Sequence, residues 1–361
     1  MNSKIIIILI VLIGLGLGGF LVYKNIFAPR TEVPEVGKEI EVPVIEDIPP
    51  EEREENGEGK ECPDDEICPQ FSENVDCESK HFKMAFVLVA PNANDVTPER
   101  LNKLEAIKNE FSRAFAEATR NLASMDTNDD ITVILAQDIN VFDINKKFYE
   151  IHDDIYDFIS IYYAPLPNFS ASIQGHAPLV QNIKGIGSPL LDNSNRYWTK
   201  GKLKGHNIMG SIDMYRLDAS SLPLAMNGLL HETGHQWCCY VGDNFARGEG
   251  GAKLEILWQG IHLYVGLQTP DEEGDAMKAG HWVPNNDGTY KNRTPGVGPT
   301  KYHPFVLYFM GLLPKEEYDI KFQIFDAGGI DGMWNLERAI PYKEVSVRDI
   351  IEVAGERMCI K

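Results

Sequence analysis

The pattern of apolar and polar residues divides the chain into three parts. Residues 5–23 (IIIILIVLIGLGLGGFLVY) are uncharged and almost wholly apolar, and as a helix they would span about 28 Å, the thickness of a bilayer core. Residues 28–81 are rich in proline and glutamate and bury too little apolar surface to fold alone. The sequence therefore predicts a membrane anchor over residues 1–27, an acidic tether over residues 28–81 and one folded domain over residues 82–361.

Within the folded domain, the spacing of apolar residues predicts strands that alternate with helices. The predicted elements are strands over Lys83–Val89, Ile131–Ala136, Tyr156–Tyr163 and Ile208–Met214, and helices over Thr97–Leu122 and residues 222–240. A strand, a helix and further strands in this order predict an α/β (α+β) fold with a mixed sheet. We expect the strand Ile208–Met214 to form the sheet edge against which an extended peptide would lie.

The charges beside the apolar stretch leave its orientation in a membrane open, because Lys4 precedes it while Lys24 and Arg30 follow it. A cleaved signal peptide is the alternative to an anchor. Residues 24–30 contain no cleavage site of the small-x-small type, so an uncleaved, single-pass anchor is favoured.

The acidity of the chain is concentrated outside the folded domain. Residues 31–80 hold 18 acidic and 4 basic side chains, and they contribute −14 to the total net charge of −20. Residues 1–30 contribute +3, which leaves −9 for residues 81–361. Repulsion between these charges extends the tether. The acidity of the tether says little about a substrate. No basic stripe is present that would neutralise phosphates, so nucleic-acid binding is not expected.

The chain contains an even number of cysteines, and three of the six lie in the short polar segment before the domain. The six are Cys62, Cys68, Cys77, Cys238, Cys239 and Cys359. They lack the paired CxxC spacing of a zinc site, so we expect disulfides, which form outside the cytoplasm. Fifteen complete pairings are possible, and the sequence does not choose among them.

The most informative local pattern is His231-Glu232-Thr233-Gly234-His235, an HExxH sequence inside the predicted helix at residues 222–240. Residues four apart share a helical face, so both imidazoles can bind one Zn²⁺ while Glu232 acts as a general base. The alternative is an ordinary buried helix. It is disfavoured because two histidines and a glutamate are poor core residues unless something pairs with them.

A catalytic zinc site generally needs a third protein ligand. The chain has neither the extended pattern HExxHxxGxxH nor a helix with N-E-x-x-x-D. The candidates are His262, His281 and His303, followed by Glu255, Glu272, Glu273 and Asp275.

A family resemblance orders these candidates. His231–Trp237, Gly260-Ile-His262, Met277–Trp282 and Leu307-Tyr-Phe-Met-Gly-Leu-Leu-Pro resemble successive blocks of a group of secreted zincin-type metallopeptidases. The resemblance implies a zincin-like fold, in which the active-site helix packs on the mixed sheet and a C-terminal lobe lies across a cleft. It also implies that His262 is the third zinc ligand. Leu263 and His281 depart from the family pattern, so His281 stays open as a ligand or as a donor to a developing oxyanion.

Together these features predict a membrane-anchored, extracytoplasmic Zn²⁺ metallopeptidase that acts on a peptide or protein. The expected ligands are His231, His235 and His262, and the expected catalytic residues are Glu232 and His281. Two alternatives remain: a noncatalytic zincin-fold domain for surface binding or adhesion, and a zinc amidase that acts on cell-envelope material. The sequence leaves the oligomeric state open.

Overall fold

A computed structural model of the chain describes residues 77–165, 174–219, 221–241, 266–270, 274–293, 300–326 and 336–360. The predicted anchor at residues 5–23 and nearly all of the tether lie outside these ranges. In the part that is described, no helix is long and apolar enough to cross a membrane.

The described residues form five α-helices. These are α1 (Pro98–Ala118), α2 (Val141–Tyr149), α3 (Leu222–Gly234), α4 (Pro304–Met310) and α5 (Val347–Ala354). The strands up to α3 are β1 (His81–Ala90), β2 (Ser124–Asp126), β3 (Thr132–Leu135), β4 (Phe158–Tyr163), β5 (Gly175–Pro178), β6 (Val180–Gln181), β7 (Ile183–Lys184), β8 (Leu191–Asp192) and β9 (Gly205–Ser211). The later strands are β10 (Gly274–Asp275), β11 (Trp282–Pro284), β12 (Tyr290–Asn292), β13 (Thr300–Lys301), β14 (Phe322–Asp326), β15 (Ile340–Val345) and β16 (Met358–Cys359).

Six strands form the main sheet, in the order β2-β1-β4-β9-β5, and β3 also pairs with β1. Strands β1, β2, β3, β4 and β9 are parallel, and β5 runs antiparallel to β9. The sheet is therefore mixed, as the sequence predicted.

The two faces of β1 show why the sheet is covered on both sides. Met84, Phe86 and Leu88 belong to the core that contains the buried faces of α1 and α3. The intervening Val87 and Val89 belong to a second core, which contains the buried face of α2. The period of two along a strand thus assigns alternate residues to opposite helical layers.

The predicted strands and the long helix α1 are confirmed, with bounds shifted by up to four residues. The helix α2 was not predicted, although Asn140 provides a helix-capping signal by accepting hydrogen bonds from two N–H groups of the first turn. The predicted position of the strand Ile208–Met214 at a sheet edge was wrong. The strand there, β9, lies inside the sheet because β4 pairs with one side of it and β5 with the other.

Most of the C-terminal elements share the larger core, and a small separate cluster contains Trp282, Phe325 and Ala339. Buried side chains of α4, Phe322 and Ile324 of β14, and Ile350 of α5 pack in the same cluster as α1 and α3. A disulfide between Cys77 and Cys359 joins the two ends of the described chain. This confirms the expectation of disulfides and selects one pairing from those the sequence allowed.

Candidate metal centre

Helix α3 carries the HExxH residues and is built as a core helix. Pro223 lies in its first turn, where an absent backbone N–H leaves no helical hydrogen bond unmade. One face of the helix is buried in the larger core through Ala225, Met226, Leu229 and Leu230. Deep packing of this face fixes the helix, and with it the direction in which the histidines point.

Helix α3 ends at Gly234, whereas the sequence predicted that it would continue to about residue 240. The backbone N–H groups of Gln236 and Trp237 bond to carbonyls only three residues back, which tightens the chain into a turn. This turn places Trp237 in the core, where its ring lies 5.5 Å from that of Phe82. Burial of the indole thus decides where the helix stops. Cys238 and Cys239 follow and are joined by a disulfide.

The two motif imidazoles converge. His231 Nε2 lies 3.1 Å from His235 Nε2. On the far side of each ring, Nδ1 faces a backbone carbonyl: Ala276 O at 2.7 Å from His231, and Cys238 O at 3.1 Å from His235. A carbonyl oxygen only accepts hydrogen bonds, so both Nδ1 atoms carry protons. In the neutral rings, both Nε2 lone pairs then point at the same small region.

Two lone pairs at this separation repel each other unless a cation lies between them. Burial lowers the pKa of His231 to about 4, so a shared proton is not the expected cation at neutral pH. Two Zn–N bonds of about 2.1 Å each readily span the Nε2–Nε2 separation. Donation of the second ring nitrogen to a carbonyl is also the usual way in which proteins orient a histidine ligand. The pair therefore fits a metal ion.

Glu232 lies between the two histidines in sequence and is 6% exposed. Burial raises the pKa of its carboxyl group to about 8, and the positive charge of Lys278 opposes that rise. A carboxyl group that titrates near neutral pH can both accept and return a proton.

A buried polar network behind α3 was missed by the sequence interpretation. Asn207 Nδ2 on β9 donates to Thr233 Oγ1 at 2.9 Å, and Thr233 Oγ1 donates to the Leu229 carbonyl at 2.7 Å. On β5, His176 hydrogen-bonds to Asn207 Oδ1 at 2.8 Å and to Gln236 Oε1 at 3.1 Å. The polar Asn207 inside an apolar strand was the available signal. The network ties the motif helix to two strands of the sheet.

Asp275 is a structural brace in this structure. Its two carboxylate oxygens accept hydrogen bonds from the backbone N–H groups of Ala279, at 2.9 Å, and His303, at 2.7 Å. Burial raises its pKa to about 6. Its neighbours in the acidic candidate cluster, Glu272 and Glu273, lie outside the described residues.

The described residues do not supply a third metal ligand. Among them, one group of three ligating side chains has its ligand atoms within 4.8 Å of one another, namely Cys77, Glu78 and Cys359, and its cysteines are joined to each other. His281 is therefore not placed with the converging pair. Its Nδ1 is buried and lacks a hydrogen-bond partner among the described residues. His262 and Glu255 lie outside the described residues, so the assignment of His262 stays a prediction.

His303 has a structural role. It caps α4, where its Nδ1 accepts from the Phe305 backbone N–H at 3.1 Å, and its Nε2 faces the Gln268 carbonyl at 3.2 Å. Both ring nitrogens are thus engaged, which removes His303 from the ligand candidates.

No known protein family matches this chain, and no curated protein is similar enough to count as a relative. The geometry of the motif residues is accordingly the basis for a functional conclusion.

Proposed function

We propose that the protein is a membrane-anchored, extracytoplasmic zinc metallopeptidase of zincin architecture. The observation that carries the proposal is the 3.1 Å convergence of His231 Nε2 and His235 Nε2, with both Nδ1 atoms directed at backbone carbonyls. A helix kept only for packing has no need for two imidazoles whose lone pairs oppose each other.

Each residue has a distinct role in the proposed hydrolysis. His231, His235 and His262 would hold the ion. Bound Zn²⁺ would act as a Lewis acid on the scissile carbonyl and make water acidic enough to lose a proton near neutral pH. Glu232 would act as the general base that accepts a proton from the attacking water and as the acid that donates it to the departing amine nitrogen. His281 is proposed as a donor to the developing oxyanion, because its buried Nδ1 has no hydrogen-bond partner among the described residues.

The sheet offers a place for an extended substrate. In the described part of the chain, β5 pairs with β9 on one side, and no strand pairs with its other side. His176 on β5 contacts Gln236, the residue after the second motif histidine, so this edge lies beside the end of α3. A peptide added to β5 as a further strand would use backbone hydrogen bonds, which tolerate many side chains.

The cysteines support the proposed compartment. The Cys77–Cys359 disulfide closes the described domain directly after the acidic tether. Such structural disulfides persist in oxidising surroundings and are rare in the cytosol. The apolar residues 5–23 would then attach the domain to the outer face of a membrane.

The decisive experiment compares the natural chain with Glu232→Gln in metal analysis and in a peptide-library cleavage assay. The amide preserves size but cannot accept the proton, so we expect peptide hydrolysis to be abolished and zinc to be retained. Glu352→Gln is the matched control, since Glu352 is exposed on α5. It should keep full activity.

Other outcomes favour the alternatives. A zinc-bound protein that cleaves no peptide would point to an adhesion domain, or to an amidase if cell-envelope fragments are cleaved instead. Undiminished peptide turnover in Glu232→Gln would show that Glu232 is not the base.

A further inference from the structure

The turn at residues 275–279 is fixed by one buried residue. The Lys278 backbone N–H donates to the Asp275 carbonyl at 3.1 Å, and the Ala279 N–H donates to the Asp275 carboxylate at 2.9 Å. The second carboxylate oxygen accepts from the His303 N–H at 2.7 Å. These three hydrogen bonds hold the turn in one conformation, and they set the position of residue 278 through the backbone.

The same turn rests on the motif helix at two consecutive residues. The Ala276 carbonyl accepts the hydrogen bond from His231 Nδ1 at 2.7 Å. The Met277 side chain packs on Gly234, so closely that a Cβ added to Gly234 would meet Met277 Sδ at 2.5 Å. Lys278 is the next residue, so it lies directly beside the contact between the turn and the motif helix.

Lys278 itself has an unfavourable backbone conformation. Its φ is +69°, in the left-handed region that a residue with a Cβ rarely adopts, and its side chain is exposed. Among the described residues, no carboxylate forms an ion pair with it and no group hydrogen-bonds to its ammonium group. Within the described structure, neither packing nor pairing accounts for a lysine here, where glycine or asparagine would be less strained. Strain of this kind is commonly found at functional sites.

The positive charge of Lys278 acts on two residues of the proposed metal centre. It lowers the pKa of Glu232 and of His231, although burial has the larger effect on each group. Ala276 and Met277 contact His231 and Gly234, so the next residue, Lys278, lies beside the proposed metal centre, where a substrate would bind. A lysine at this place, without an ion-pair partner in the described structure, is suited to bind an anion brought by another molecule.

We propose that Lys278 binds a carboxylate of the substrate beside the scissile bond, so that the enzyme prefers acidic peptides. The inference rests on the proposed peptidase function. The carboxylate could belong to an aspartate or glutamate side chain or to the C-terminus of the peptide, and the experiment separates these sources.

The test is a cleavage assay with two peptide libraries of the same sequences, one with blocked ends and one with a free C-terminal carboxylate. Cleavage sites and rates are read by mass spectrometry for the natural chain, Lys278→Met and Lys278→Glu. For the blocked library, we expect the ratio of kcat/KM for acidic over neutral neighbours to fall about two- to fivefold in Lys278→Met, the scale of one exposed ion pair. Lys278→Glu should reverse the preference towards basic neighbours.

Lys184→Glu is the matched control. Lys184 is exposed on β7, and this variant changes the net charge by the same amount. It should keep the natural preference. Lys278→Gly should melt at a temperature no lower than the natural chain, because glycine tolerates a φ of +69°. A weaker preference for acidic neighbours in Lys278→Gly would then not be due to unfolding.

Each remaining outcome has a definite meaning. If the preference appears only with free C-termini and is lost in Lys278→Met, the bound group is the terminal carboxylate. If the natural chain cleaves peptides with the same selectivity as Lys278→Glu, the role of Lys278 is refuted while the peptidase function stands. If the zinc-bound natural chain cleaves neither library, the peptidase function itself fails.

Discussion

At the scale of single residues, two backbone carbonyls decide which ring nitrogen of each motif histidine can bind a metal ion. Ala276 O and Cys238 O each accept a hydrogen bond from an Nδ1 atom, which leaves Nε2 of both neutral rings as the electron-pair donor. Neither carbonyl belongs to α3. The ligand character of the histidines therefore depends on chain segments that pack around the helix.

The assignment of the third ligand gives a prediction at this scale. His262→Ala should lose zinc, because only two protein ligands would remain. His281→Ala should retain zinc, with a 10- to 1,000-fold fall in turnover if the side chain stabilises the oxyanion. Metal content by elemental analysis and kcat on a cleaved peptide measure the two effects. If His281→Ala loses zinc and His262→Ala retains it, His281 and not His262 is the third zinc ligand.

His303 gives a prediction about pH. Burial lowers its pKa to about 3, against about 6.5 in the unfolded chain. Below pH 6.5 the unfolded chain binds a proton that the folded chain does not, so this group removes stability as pH falls towards 3. The free energy of unfolding should fall by up to about 1.4 kcal/mol per pH unit from this residue.

The variant His303→Asn isolates that contribution. Asparagine can still cap α4 but does not titrate, so the pH dependence of the unfolding free energy between pH 7 and pH 4.5 should become shallower. Urea denaturation at several pH values measures the slope. Identical slopes for the two proteins would show that His303 is protonated in the folded state as readily as in the unfolded chain.

At the scale of elements, α3 is held by buried polar groups as well as by its apolar face. Thr233 Oγ1 accepts from Asn207 Nδ2 at 2.9 Å, and this bond joins α3 to β9. Strand and helix are 26 residues apart in sequence at this bond. The bond fixes the rotation of α3 about its axis, and hence where His231 and His235 point.

We expect Thr233→Val to lower the free energy of unfolding by about 1–3 kcal/mol, because the buried amide of Asn207 loses an acceptor. Asn207→Leu should cost a similar amount. The double variant should cost less than the sum of the two single variants, by about 0.5–3 kcal/mol, since it leaves no unmatched partner. Additive effects in urea denaturation would mean that the two side chains do not interact.

At the scale of the whole molecule, the Cys77–Cys359 disulfide closes the described domain across 282 positions. Arg357 reinforces the closure by donating to the Cys77 carbonyl at 2.9 Å and pairing with Glu78 at 3.0 Å. A bond that closes so long a loop restricts the unfolded chain strongly. The double variant Cys77→Ser/Cys359→Ser should therefore lose on the order of 3–5 kcal/mol of unfolding free energy.

The adjacent pair Cys238–Cys239 provides the contrast for that experiment. Its cysteines are neighbours in sequence, so their bond closes no long loop. Cys238→Ser/Cys239→Ser should consequently cost much less than the first variant in thermal and urea unfolding. Equal losses would contradict the chain-entropy explanation.

The sequence by itself determined features that depend on local spacing. The four-residue interval between His231 and His235 places both rings on one helical face, whatever surrounds the helix. The run of apolar residues over Lys83–Val89 likewise predicted a strand, which β1 confirms. These predictions hold because a helix and a strand each repeat with a fixed period.

Tertiary structure alone decided the features that join distant parts of the chain. The carbonyl that orients His231 belongs to Ala276, 45 residues away, and no local pattern connects the two. Likewise, β5 rather than β9 is the last strand of the sheet in the described part of the chain, and Cys77 pairs with Cys359 out of the possible partners. These choices depend on which surfaces bury one another when the whole chain packs, and apolar spacing within one element does not encode that information.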